Sequence, residues 1–111
     1  QCQALLVMAS PAFARDRKLI IERAARAHVP AIYAAAWNAR EGGLMSYGTT
    51  ALDLDRQVAR QIDKILRGAK PGELPVEQPR RFELVVNLAT ARALGLVIPQ
   101  ALLLQADQVI E

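Results

Sequence analysis

Hydrophobic and polar positions along the chain fall into blocks with two different periods. Residues 4–9 are an unbroken apolar run closed by Ser10-Pro11, the pattern of a strand buried on both faces of a helix-covered parallel sheet. Ser10 suits a helix cap and Pro11 a first helical turn. Between residues 13 and 27 the period lengthens. Phe13, Ile20, Ile21, Ala24 and Ala27 recur at helical spacing, with Arg15, Asp16, Lys18, Glu22 and Arg26 mostly on other faces. VPAIY at 29–33 reads as a second strand, AAAWNAR at 34–40 as two turns of helix, and LMSY at 44–47 as a third strand. The clearest helix runs from 50 to 67. Leu54, Val58, Ile62, Ile65 and Leu66 form its apolar stripe, Thr50 opens it and Gly68 ends it. A proline-rich connection leads to a strand at 82–87, a short helix ended by Gly95, and a last helix over 99–111.

Strand, helix, strand, helix, strand at this spacing predicts an α/β fold, a parallel sheet with flanking helices. Ligands of such sheets sit beyond the carboxyl ends of the strands. Ser10 and Pro11 follow the first strand, Tyr33 ends the second, and Ser46 and Tyr47 end the third. Brought side by side, these five are the candidate ligand-binding residues. The pair Gly42-Gly43 is the tight turn that feeds the third strand back into register.

Composition narrows the function. With 111 residues, 52% hydrophobic and 23% charged, the chain is one small globular domain rather than a disordered segment. Its net charge of +3 comes from basic and acidic residues interleaved along the helices, which describes solvated faces and not a nucleic-acid stripe. Cys2 is the only cysteine and His28 the only histidine, so neither an internal disulfide nor a zinc or other metal site is expected. No run approaches the ~18 apolar residues of a membrane-spanning helix. Catalysis needs a nucleophile with a base, or paired carboxylates, and no histidine or acid lies near the strand ends. Gly42-Gly43 precedes a strand rather than a helix, the wrong order for a dinucleotide loop. Neither enzymatic activity nor a cofactor is expected. Each candidate also has a plainer reading: Ser10 as a cap, Tyr47 as a packed strand-end ring, Trp37 as core or interface. His28 suits the cation-favouring end of a helix, and Cys2 a buried strand-edge thiol.

Three stretches, GGLMSYG at 42–48, LDLDRQVARQIDKILRGAKPGELPVEQP at 52–79 and FELVVNLATARALGLVIPQALLLQADQVIE at 82–111, resemble the C-terminal part of ABC-transporter substrate-binding proteins of the tryptophan/tyrosine type. Residues 3–33 are similar in pattern. The resemblance implies one lobe of a two-lobe, periplasmic-binding-protein-like (type I) architecture. Such a protein closes on a small molecule, an amino acid or similar metabolite, and delivers it to ABC permease subunits from the periplasm or another extracytoplasmic space. It further implies that residues 1–47 and about 80–111 make most of the second lobe. Residues about 48–79 would then hold the hinge crossings, near 46–50 and 76–79, with Gly48 and Thr49 as hinge residues. The helix at 50–67 would pack on a first lobe lying before residue 1, behind an export signal, so its stripe should be poorly buried within this chain. A ligand-sensing domain of a regulator or receptor with the same fold is the alternative. Many relatives carry an acidic residue after the first strand, whereas this chain has Ser10, which accepts a hydrogen bond without supplying charge. Where relatives often have a charged-aromatic stretch after the second strand, this chain has AAAW.

Overall fold

The computed structural model describes residues 2–111, and their contacts group them into two units. One comprises the described residues up to Gly48 together with Glu83–Glu111; the other is Thr49–Phe82.

The first unit is built on a five-stranded sheet in the order β1-β2-β3-β4-β5. β1 is Leu5–Val7, β2 Ala31–Tyr33, β3 Met45–Gly48, β4 Glu83–Asn87 and β5 Gln108–Ile110. The expected parallel arrangement holds for β1 with β2, β2 with β3, and β4 with β5. β4 runs antiparallel to β3, with Gly48 opposite Glu83, so the sheet is mixed. The reason lies in what joins them. A crossover helix packed on the same sheet would make β4 parallel, whereas residues 49–82 group as a separate unit and β4 begins at Glu83 opposite Gly48. The chain therefore re-enters beside the point where it left, as the two arms of a hairpin do.

The helix expected over 13–27 is split into α1, Pro11–Arg15, and α2, Arg17–Arg26. At the break Arg15 binds both carboxylate oxygens of Asp16, and Arg17 Nη1 donates to the Ala14 carbonyl at 3.1 Å. Ile21 and Ala24 of α2 pack on Val7, Ala31 and Tyr33 to form the core. α3, Ala36–Arg40, turns through Gly42, whose φ of 110° suits glycine. Gly43 follows, packed so tightly that a Cβ would stand 2.6 Å from the Tyr33 ring and 2.8 Å from the Asn38 carbonyl. The glycine pair is thus the predicted turn into β3.

In β4 both Val85 and Val86 are completely buried, so this central strand is covered on both faces. Asn87 then ties three elements together. Its Nδ2 donates to the Ala39 carbonyl at 2.9 Å, its Oδ1 accepts from Thr90 N as the cap of α5, Leu88–Ala93, and its own N–H donates to the Leu44 carbonyl.

The last predicted helix is corrected. Only α6, Gln100–Gln105, is helical; Ala106 is extended, and Gln108–Ile110 becomes β5. Asp107 makes the change, because its N–H donates to the Leu84 carbonyl and its carboxylate accepts from Leu84 N at 2.8 Å. Cys2 is corrected too: it is exposed ahead of β1, and its thiol donates to the Ala4 carbonyl.

Arg17 and Glu41 form a two-pronged pair, both bonds 2.9 Å, between the start of α2 and the turn after α3. Those hydrogen bonds hold the Glu41 carboxyl below its usual value of 4.5. A depressed carboxyl stabilises the fold above its unfolded pKa, and this contribution disappears as pH falls through the folded one. The urea midpoint of the native chain is therefore expected to fall more steeply below about pH 4.5 than that of Glu41→Gln. Equal slopes in acid titrations of the two proteins would contradict this.

The second unit centres on α4, Ala51–Leu66. Thr50 caps it, its Oγ1 accepting from Asp53 N at 3.1 Å and donating to Asp53 Oδ2 at 2.7 Å, which fixes the capping hydroxyl. A short 3-10 turn, Pro71–Glu73, precedes an extended stretch in which Glu77 O accepts from Gln57 Nε2. No residue of α4 is buried. Leu54 is 41% exposed, Val58 56%, Ile62 50% and Ile65 39%, the poorly covered stripe that the resemblance implies.

Candidate functional site

The three leading strands end on one edge of the sheet. The parallel register sets Val7 beside Tyr33 and Tyr33 beside Ser46, and Ser10 and Pro11 leave β1 into α1 at the same edge. Sequence-predicted residues from three separate segments are thereby gathered along one row of strand ends.

They divide by accessibility. Tyr33 and Ser46 are 2% and 1% exposed, so they form the floor of the edge rather than its surface. Burial pushes the Tyr33 phenol above its ordinary pKa. The Ser46 hydroxyl is buried without a hydrogen-bond partner among the described residues. Ser10, Pro11 and Tyr47 reach the surface. Ser10 occupies the position before α1 in extended geometry, yet its hydroxyl makes no capping hydrogen bond. That leaves the hydroxyl able to donate or accept toward another molecule. Tyr47 is half exposed and carries both a ring face and a phenol.

Gly48 and Thr49 stand where the first unit gives way to the second. A Cβ at Gly48 would collide with the Ala34 carbonyl oxygen. The loop after β2 therefore lies directly against the end of β3, which only glycine permits. Ala34 is a contributor that sequence reasoning did not single out; the signal was the run of small residues at 34–36, which lets two backbones approach.

Chemically the candidate residues offer hydroxyls and an aromatic ring; the acid at this edge, Glu83 opposite Gly48, is paired with Arg40 at 3.5 Å. No group of His, Cys, Asp and Glu among the described residues is placed to hold a metal ion, and no helix among them is long and apolar enough to cross a membrane. Nothing in this edge assembles a nucleophile with a base.

Comparison with known proteins gives the geometry its context. The family model described as ABC transporter substrate binding protein matches residues 1–110. No curated protein matches the chain. Among solved structures, a conserved domain protein from Vibrio cholerae O1 biovar El Tor is 28% identical with a TM-score of 0.90, over 96% of this chain and 36% of its own. An ABC domain from Streptococcus pneumoniae, in complex with L-Trp, is 29% identical with a TM-score of 0.89, over 97% of this chain and 37% of its own. A substrate-binding protein with adhesive properties from Clostridium difficile, in a ligand-free, open structure, shares the fold at 22% identity and a TM-score of 0.65. The chain spans just over a third of the length of these structures, 36% to 37%.

Proposed function

This chain belongs to the ABC transporter substrate-binding protein family, and from that premise we propose that it is most of the second lobe of a two-lobe solute-binding protein. The full-length protein captures a small molecule between its lobes in an extracytoplasmic space and hands it to the permease of an ABC import system. It catalyses no reaction. Residues 48–79 carry the hinge crossings, with Gly48 and Thr49 at the first of them, and the exposed α4 stripe packs on the other lobe. An apolar surface of that kind on a helix with no buried residue is the mark of an absent neighbour.

One observation carries the ligand site: three strand ends share an edge at which Ser10 keeps an unspent hydroxyl and Tyr47 an accessible ring. Tyr33 and Ser46 shape the floor beneath them. The ligand is an amino acid or similar metabolite, a class supported by the L-Trp held by the Streptococcus pneumoniae relative. Because Ser10, Pro11 and Tyr47 bring no charge, ionic groups of the ligand are met elsewhere in the full-length protein.

Replacing Tyr47 with Ala in the full-length protein is expected to weaken ligand binding by about 1–3 kcal/mol, comparable to losing a buried apolar contact or hydrogen bond. Calorimetry checks it, with the thermal midpoint of the unliganded variant as a folding control. An unchanged affinity would remove Tyr47 from the site.

A further inference from the structure

The second unit holds a hollow that plays no part in the strand-end site. α4 and the extended segment after it enclose an open cavity of about 870 Å³, within the size range of small-molecule sites. Four guanidinium groups line it: Arg56 and Arg60, one turn apart on α4, and Arg80 and Arg81 at the end of the extended segment. Two carboxylates share the space, Asp53 and Glu77, which leaves an excess of positive charge.

Neither carboxylate satisfies its arginine. Arg56 Nη1 stands 3.9 Å from Asp53 Oδ1 and Arg60 Nη2 3.8 Å from Glu77 Oε2, both beyond hydrogen-bonding reach. Asp53 is already engaged by Thr50 Oγ1, and Glu77 by Lys64 at 3.4 Å. Arg80 and Arg81 pair with no carboxylate among the described residues, and none of the four guanidiniums donates a hydrogen bond to them. Each guanidinium presents a planar fork of donors matched to the two oxygens of a carboxylate or phosphate. Two guanidiniums without a carboxylate partner among the described residues, Arg80 and Arg81, and two held only in long ion pairs, Arg56 and Arg60, line one cavity of this volume, the donor set that a multiply charged oxyanion requires.

We propose that this hollow binds a small polyanion through carboxylate or phosphate groups, held by Arg56, Arg60, Arg80 and Arg81. Such a contact is charge-assisted and two-pronged, the strong form of hydrogen bonding. It weakens with added salt because the arginines are exposed.

The test is calorimetry on the full-length protein with citrate and pyrophosphate as probes. Arg80→Gln/Arg81→Gln and Arg56→Gln/Arg60→Gln are each expected to lower probe affinity at least tenfold, and Arg80→Lys/Arg81→Lys to recover only part of it. Arg23→Gln/Arg26→Gln removes the same charge from exposed positions of α2 and is expected to leave affinity unchanged. The tighter probe names the preferred group. Thermal melts identify any variant that fails to fold, and the other pair then decides. Binding of neither probe, or an equal loss in the α2 control, overturns the proposal. Because Ser10 and Tyr47 are intact in every variant, this outcome is separable from failure of the strand-end site.

Discussion

Tyr33→Ala is expected to destabilise the protein by about 3–5 kcal/mol, the cost of removing a large buried ring from a core that cannot close over the space. The ring is almost wholly enclosed by Val7, Ile21, Ala24 and Ala31. It also lies so close to Gly43 that a single added carbon there would be 2.6 Å away. The turn into β3 and the end of β2 therefore rest on one side chain. Tyr33→Phe keeps the ring and should cost far less. It should also remove an alkaline sensitivity. A phenol whose pKa is raised on folding stabilises the fold below its unfolded value near 10.0 and loses that contribution as pH climbs through the folded one. Urea denaturation of the three proteins at neutral and alkaline pH checks both statements. A loss below about 1 kcal/mol for the alanine variant would show that the core rearranges around the gap.

Gly48→Ala is the second large effect, expected at about 2–3 kcal/mol. The new methyl has nowhere to go. It meets the Ala34 carbonyl oxygen, a backbone atom that no side-chain rotation can move aside. The strand end that carries it is paired with Glu83 in β4. Relief requires the loop after β2 to retreat from the edge that carries the candidate site. Denaturation midpoints of Gly48→Ala beside Ala51→Gly, an exposed change on α4, separate this collision from a general sensitivity to substitution.

The elements that were legible in the sequence are those whose signal is local. Helix α4 declares itself by an apolar stripe, a threonine cap and a terminal glycine, and the structure places its ends within a residue of the predicted ones. The apolar runs before Ser10 and within VPAIY and LMSY became β1, β2 and β3, and their parallel register put the predicted site residues on a common edge. What escaped depends on distant partners. Residues 108–110 sit in a stretch with helical character, and only the pairing of Asp107 with Leu84, together with the neighbouring β4, draws them into a strand. The antiparallel sense of β4 rests on the pairing of Gly48 with Glu83, far apart in the chain, which no strand pattern records. The split of the candidate site into a buried floor and an accessible rim has the same origin. Tyr33 and Tyr47 look alike in sequence, but Tyr33 shares its sheet face with α2 in the core whereas Tyr47 is half exposed.

Capture of a ligand between two lobes is the central claim, and side-by-side calorimetry of the full-length protein and the 111-residue chain tests it most directly. The titrants are amino acids including L-Trp, and nucleosides, none of them a polyanion that the arginine hollow would take. The full-length protein is predicted to bind one of them, and the isolated chain, presenting one wall of the cleft, to bind none of them tightly. Micromolar binding by the isolated chain, or no binding of any titrant by the full-length protein, would contradict the account.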